Sequence, residues 1–149
     1  MEESLILCYT GITHNSGEIH EDQGKQLSEK KVQEFLRESV SLTWNTRDCL
    51  LRGNLLKFGE NLHSSWMLKR NFGNKITNKN LDNIYNIAIK NGAIGGKLLG
   101  AGGGGYFLFY TAAKTKFSLI KVLEKHGMSI KPFNFDEHGL ESWKVRETN

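Results

Sequence analysis

The sequence predicts an α+β domain of two layers, in which helices pack on one face of an antiparallel sheet. Short apolar runs rich in β-forming residues occupy residues 4–9, 97–99 and 106–110. Between the first run and the other two, apolar residues recur at helical spacing over long stretches. The resulting order is a strand, helices, a strand pair, a helix and a final strand pair, and 149 residues suit one domain.

The first half of the chain is predicted to be mainly helical after its opening strand. Residues 14–26 are polar and helical or irregular, and Ser28 is a predicted N-cap for the helix that follows. The apolar stripe of that helix consists of Val32, Phe35, Leu36 and Val40. A second long helix is predicted because apolar residues recur at steps of four, three, four and four, namely Leu51, Leu55, Phe58, Leu62 and Trp66. Trp66 continues this stripe and is expected in the core.

A loop and a shorter helix come next. Residues 71–78 contain one glycine and three asparagines, which is typical of a loop. Asn78 is a predicted cap for a helix that carries Leu81, Ile84 and Ala88. Gly92 is expected to end this helix in the left-handed conformation.

The last part of the chain is predicted to contain one helix and a hairpin. Residues 115–126 have a helical pattern that places Phe117, Ile120 and Leu123 inward. Residues 128–135, which include Pro132, and residues 140–145 are predicted to pair as the final hairpin.

Composition excludes several classes of partner. The net charge is +4, but the basic residues are scattered, and no face combines basic with aromatic residues, so no nucleic-acid partner is predicted. No apolar segment has the length of a membrane-spanning helix, so no membrane partner is predicted either. Cys8 and Cys49 make no disulfide framework, and Cys8 is a predicted buried thiol, which favours a cytoplasmic location. The histidines show no metal-ligand spacing, so no protein-held metal is expected.

The most informative segment is a glycine-rich loop between the two central strands. We call it the glycine loop; it consists of Gly100, Ala101, Gly102, Gly103, Gly104 and Gly105. Glycine loses more backbone entropy on folding than other residues, so this run needs a reason. Positive φ angles, or a close approach to a phosphate held by successive N–H groups, would supply one. A tight turn with surplus glycines is the alternative.

Two well-known phosphate motifs fit the glycine loop poorly. The dinucleotide fingerprint requires a helix directly after its glycines, whereas a strand begins here at Tyr106. A Walker-type loop requires Ser or Thr after its Gly-Lys pair, whereas Leu98 follows Lys97. The sequence therefore predicts a connection between two strands, whose amides form an anion nest or lie against another loop.

The segment GAIGGKLLGAGGGGYFLFY resembles the third conserved motif of the GHMP kinases, the superfamily of galactokinase, homoserine kinase, mevalonate kinase and phosphomevalonate kinase. It is most similar to the branch of sugar kinases that act on heptose 7-phosphate. The resemblance extends to LILCYTGITHNS, NLHSSWMLKR, NLDNIYNIAIKNGA and FNFDEHGLESW, and so covers nearly the whole chain. It implies a ferredoxin-like fold, with the glycine loop facing a phosphoryl-transfer site across a cleft between two domains.

The resemblance covers only half of such an enzyme. The family's nucleotide loop, its catalytic carboxylate and its first substrate motif belong to an N-terminal domain that these 149 residues lack. The resemblance therefore implies that residues 1–149 are a C-terminal domain, with that N-terminal domain and a sugar phosphate as partners. No catalytic residue is expected here. ATP and Mg²⁺ would act in the full-length enzyme, and none is expected to be held by this domain alone.

Several side chains are candidates for binding the substrate, each with a plainer alternative. Lys97, which the family favours inside its motif, could neutralise phosphate charge or extend into solvent. Lys69 and Arg70 could reach the sugar phosphate or form a solvated helix end. The resemblance also places the turn that contains Thr10, Gly11 and His14 near the substrate, although a lone loop histidine is usually neither ligand nor catalyst.

The functional expectation is the C-terminal half of an ATP-dependent sugar kinase that forms the substrate-side wall of the cleft. The alternative is a free-standing binding or regulatory module for a phosphorylated metabolite. A nucleotide loop encoded in frame upstream of Met1 would favour the kinase, and a genuine start at Met1 would favour the module.

Overall fold

The computed structural model describes residues 1–13 and 15–144. Its strands form one antiparallel sheet in the order β2-β3-β1-β4, and they are β1 (Leu5–Tyr9), β2 (Ala93–Leu98), β3 (Tyr106–Thr111) and β4 (Ser129–Lys131). The helices are α1 (Ser16–Gln26), α2 (Lys30–Leu51), α3 (Leu55–Lys69), α4 (Lys79–Lys90) and α5 (Ala113–Lys125). This arrangement confirms the predicted α+β class.

The topology is that of a β-α-β-β-α-β unit with an expanded first connection. Four helices, α1 to α4, link β1 to β2, and α5 links β3 to β4. Since β3 lies between β1 and β2, the sheet has the split order of ferredoxin-like domains. The C-terminal ends of β1 and β2 therefore lie on either side of the start of β3, at the end of the sheet where the β2–β3 connection lies.

The main core fills one face of the sheet. Alternate residues of β1 and β3 point to this face, because successive side chains in a strand point to opposite sides; among them are Ile6, Cys8, Phe107 and Phe109. They pack against α4 and α5 through Leu81, Ile84, Ala88, Leu119 and Leu123. Trp66 is fully buried and meets the Phe107 ring edge to face at 5.5 Å, which confirms its predicted place in the core. Cys8 is also fully buried, as predicted, and burial raises the pKa of its thiol to about 12.

Helix α3 lies against the edge strand β2 with almost no side chain between them. A Cβ atom on Gly95 would lie 2.0 Å from the carbonyl oxygen of Gly59, so only glycine fits there. The helix contributes Trp66 to the main core and Leu62 to a second cluster on the other face, together with Tyr110. This close contact fixes the C-terminal end of α3 beside the glycine loop.

The start and end of α2 differ from the sequence-based prediction. Ser28 is not the N-cap: α1 and α2 are joined so closely that Glu29 takes the cap position, without a side-chain hydrogen bond. Leu51 ends α2 and is 69% exposed, so it does not share the buried stripe of α3. The break comes at Gly53, whose φ of +69° interrupts the helix, and the Asn54 side chain then caps α3.

Two predictions for the last part of the chain are wrong. Phe117 is 77% exposed, because α5 turns Leu119 and Leu123 toward the sheet instead. The final hairpin is not formed in residues 132–144, and the end of its second strand, Val145, lies outside the described residues. Strand β4 has three residues and stops before Pro132, which has no N–H to donate to a ladder.

No helix in the described part of the chain is both long enough and apolar enough to cross a bilayer.

Candidate functional site

The glycine loop is the connection of the β2–β3 hairpin. The N–H of Leu99 donates to the carbonyl oxygen of Tyr106 at 2.8 Å and closes the hairpin in front of the loop. Positive φ angles occur at Gly100 (72°), Gly102 (129°), Gly103 (74°) and Gly105 (89°). The predicted loop between antiparallel strands is confirmed, and its glycines are needed because L side chains rarely adopt these angles.

Two neighbouring segments hold the loop in shape. The Gly103 N–H donates to the carbonyl oxygen of Ile76 at 2.8 Å, and the Gly105 N–H donates to that of Ile12 at 2.9 Å. The Thr10 amide and hydroxyl both donate to the Gly105 carbonyl, each at 2.9 Å. The sequence left open whether the amides of the glycine loop form an anion nest or lie against another loop, and the amides of Gly103 and Gly105 do the second. They are not available to an anion.

The first two residues of the loop remain open to a ligand. No hydrogen bond engages the N–H of Gly100 or Ala101 within residues 1–13 and 15–144. Gly100 is exposed, and a Cβ there would meet nothing within 4 Å. The Ala101 carbonyl is fixed by the Gln23 side-chain amide at 2.8 Å. The accessible end of the loop therefore lies next to the end of α3.

The structure brings both candidate lysines to this end of the loop. The Lys69 ammonium, at the end of α3, donates to the carbonyl oxygen of Gly100. The Lys97 ammonium, from β2, donates to the Ser65 hydroxyl at 3.2 Å. Ser65 lies one helical turn before Lys69 on the same face of α3. Both lysines are half-buried, so neither simply extends into solvent.

The other candidates fall into three groups. Thr10 lies against the base of the glycine loop, and Gly11 follows it with a φ of +73°. Arg70 does not reach the loop, because its guanidinium pairs with Asp82 of α4 at 3.0 Å. His14 lies outside the described residues.

The two lysines form an electrostatically unusual pair. Burial, and to a lesser extent the neighbouring charge of Lys97, lower the pKa of Lys69 to about 8. Burial also lowers the pKa of Lys97. Neither lysine forms an ion pair with a carboxylate in the described segments. The site therefore holds positive charge that no described acidic group balances.

Sequence reasoning missed Ser65, Gln23 and the carbonyl groups of Ile12 and Ile76. Ser65 could have been found, since it precedes Lys69 by four residues in a predicted helix. The carbonyl groups carry no sequence signal, because every residue has one. Among the described residues, no three side chains of His, Cys, Asp or Glu are grouped so that they could hold a metal ion.

Residues 46–127 match the family model described as "GHMP kinases C terminal". Because the match includes more than half of the chain, the protein belongs to the GHMP kinase family and contains its C-terminal domain.

The similar proteins are longer than this chain. The chain is 30% identical over 145 residues to the D-glycero-alpha-D-manno-heptose 7-phosphate kinase of Campylobacter jejuni subsp. jejuni serotype O:2; the match covers 97% of this chain and 43% of that protein. The chain thus spans less than half the length of this relative. A Listeria innocua protein matches with a TM-score of 0.79 at 19% identity, covering 88% of this chain and 39% of that one. The L. major mevalonate kinase, solved with R-mevalonate, matches with a TM-score of 0.73 at 22% identity, covering 81% and 37%.

Proposed function

We propose that residues 1–149 work as the C-terminal domain of an ATP-dependent sugar kinase that acts on a heptose 7-phosphate or a related sugar phosphate. The observation that carries this proposal is the similarity to a heptose 7-phosphate kinase along 97% of the chain. Family membership supports the transfer of a phosphoryl group, and the relative supports the class of acceptor.

In this proposal the chain supplies the substrate-side wall of a cleft, and an N-terminal domain supplies the nucleotide site and the base. The fixed shape of the glycine loop supports such a role, because positioning and charge neutralisation dominate the catalysis of phosphoryl transfer. The open amides of Gly100 and Ala101 and the cations of Lys69 and Lys97 are the groups of this chain that fit an anionic reactant. ATP would bring Mg²⁺ with it, since Mg²⁺ usually binds phosphates with few protein ligands.

The compartment belongs to the same proposal. A sugar kinase that uses ATP fits the cytoplasm, where the thiols of Cys8 and Cys49 stay reduced.

The experiment is a substrate panel on a longer protein that contains these residues after an N-terminal kinase domain. ADP release is measured with MgATP and each of several heptose and hexose phosphates, with the unphosphorylated sugars as matched controls. We expect turnover with at least one sugar phosphate and a much lower kcat/KM with its unphosphorylated counterpart. Turnover with mevalonate or with free sugars alone would contradict the proposed acceptor class.

A further inference from the structure

We propose that Lys69, Lys97 and Ser65 form the site for the phosphate group that the sugar substrate already carries. This inference rests on the proposed sugar kinase function and names the part of the chain that would select a phosphorylated sugar over a free one. We call these three residues the lysine site.

The geometry of the lysine site directs several donors to one place. Ser65 and Lys69 are one turn apart on α3, and Lys97 comes from β2, the strand against which α3 packs. An ammonium group has three N–H donors, and each lysine uses one of them, on Gly100 and on Ser65 respectively. Two donors on each lysine therefore lack a partner among the residues that the structure describes. The exposed Gly100 amide lies at the same end of the glycine loop.

The positive charge of the lysine site would be stabilised by a bound anion. Two half-buried ammonium groups repel each other, and desolvation makes each of them less favourable. Lys25 and Lys57 differ from these two lysines, because each forms a solvent-exposed ion pair with a carboxylate. A phosphate monoester carries close to two negative charges at neutral pH and three acceptor oxygens, which matches two cations with free donors.

A neighbouring cavity favours the phosphate of a sugar over that of ATP. A cavity of about 310 Å³ lies between α2 and α3, and Lys97 and Ser65 line it. Its wall combines the polar side chains of Thr43, Arg47 and Asn61 with the apolar side chains of Leu42, Leu50, Phe58 and Leu62. A phosphate at the lysine site would have room for an attached sugar in this cavity.

The experiment measures binding to the purified 149-residue chain, which needs no catalysis. Dissociation constants for D-mannose 6-phosphate, inorganic phosphate, D-mannose and MgATP are obtained from ¹⁵N chemical-shift titrations of the wild type and of four variants, one of which, Lys97→Arg, keeps the charge. Lys69→Gln and Lys97→Gln remove one cation each. Lys57→Gln is the matched control, because Lys57 is an exposed lysine of the same helix whose ammonium pairs with Glu60 at 2.8 Å.

We expect D-mannose 6-phosphate and inorganic phosphate to bind, with the Gly100 amide among the resonances that shift. Lys69→Gln and Lys97→Gln should each lower the affinity for D-mannose 6-phosphate at least tenfold, while Lys57→Gln should leave that affinity unchanged. D-mannose should bind neither to the wild type nor to any variant. Lys97→Arg, which keeps the charge, should recover most of the affinity. Thermal melts of every variant exclude unfolding as the cause.

Three results would refute the proposal that the lysine site binds the phosphate of the sugar substrate. The first is an absence of binding by any phosphate compound, and the second is an equal affinity in Lys57→Gln and Lys97→Gln. The third is lysine-dependent binding of MgATP without binding of D-mannose 6-phosphate, which would assign the site to the nucleotide. Lysine-dependent sugar phosphate binding together with an inactive longer protein would refute the kinase proposal and leave the lysine site standing. If the longer protein is an active kinase and the lysine variants bind D-mannose 6-phosphate as the wild type does, the lysine site is refuted and the kinase proposal stands.

Discussion

Replacing Gly102 with alanine should destabilise the domain more than the same change at Gly100, although both residues have positive φ angles in one loop. A methyl group at Gly102 would lie 3.0 Å from the Ile76 Cα atom and 3.2 Å from its carbonyl oxygen. That oxygen accepts the Gly103 N–H at 2.8 Å, so the methyl group would strain or break this hydrogen bond. At Gly100 a Cβ atom meets nothing within 4 Å.

The expected magnitudes follow from these contacts. Placing alanine at a left-handed position costs about 1–2 kcal/mol, which applies to both variants. Loss of a hydrogen bond adds about 0.5–1.5 kcal/mol at Gly102 only. The total at Gly102 is therefore about 1.5–3.5 kcal/mol, out of a typical stability of about 5–15 kcal/mol. Since about 1 kcal/mol shifts Tm by roughly 2–4 °C for chains of this size, Gly102→Ala should melt several degrees below Gly100→Ala.

The assay is urea unfolding and thermal melting of the wild type, Gly100→Ala and Gly102→Ala under the same conditions. Amide hydrogen exchange at Gly103 reports directly on its hydrogen bond to Ile76. Equal unfolding free energies for the two variants, with Gly103 still protected in Gly102→Ala, would refute the claim that the loop takes its shape from the segment around Ile76.

Three further outcomes follow from the same contacts. The affinity for D-mannose 6-phosphate should fall about tenfold per pH unit above pH 8, because the pKa of Lys69 is lowered to about 8 and the free site loses this charge as pH rises. Among the described residues, Lys97 is the second titrating cation that faces Lys69. A flat affinity from pH 7 to about 9.5 in titrations would contradict this prediction. Gly95→Ala should cost about 3 kcal/mol or more of unfolding free energy, since its methyl group would lie 2.0 Å from an α3 carbonyl oxygen, and near-native urea stability would show that α3 shifts freely. Arg70→Gln should cost at most about 1 kcal/mol, because its ion pair with Asp82 is partly exposed, and should leave phosphate binding intact, so a loss of binding would mean that Arg70 reaches the ligand.

The features that the sequence predicted correctly depend on local patterns. The glycine loop lies between two short apolar runs rich in β-forming residues, so its place in a β-hairpin follows from residues within 10 positions of it. Trp66 was predicted in the core because it continues a helical stripe, and its full burial agrees. Cys8 was predicted as buried from its apolar neighbours.

The features that the sequence did not predict depend on how distant segments meet. Lys69 and Arg70 are adjacent at a helix end, but only Lys69 faces the loop, since neighbouring helical residues point about 100° apart. Phe117 fits an inward pattern as well as Leu119 does, and the docking angle of α5 decides between them. The close approach of Gly95 to α3 has no signal apart from the glycine itself, because its partner lies more than 30 residues away in the sequence.

The most direct test of the central claim compares ATP-dependent phosphorylation by the purified 149-residue chain with that by a longer protein carrying the same residues after an N-terminal kinase domain. Both are assayed with MgATP and the sugar phosphate selected by the substrate panel. We expect steady ADP release by the longer protein and none by the 149-residue chain, although that chain is folded and binds the sugar phosphate. Turnover by the 149-residue chain alone would contradict the account, and so would a folded longer protein that transfers no phosphate to any sugar phosphate.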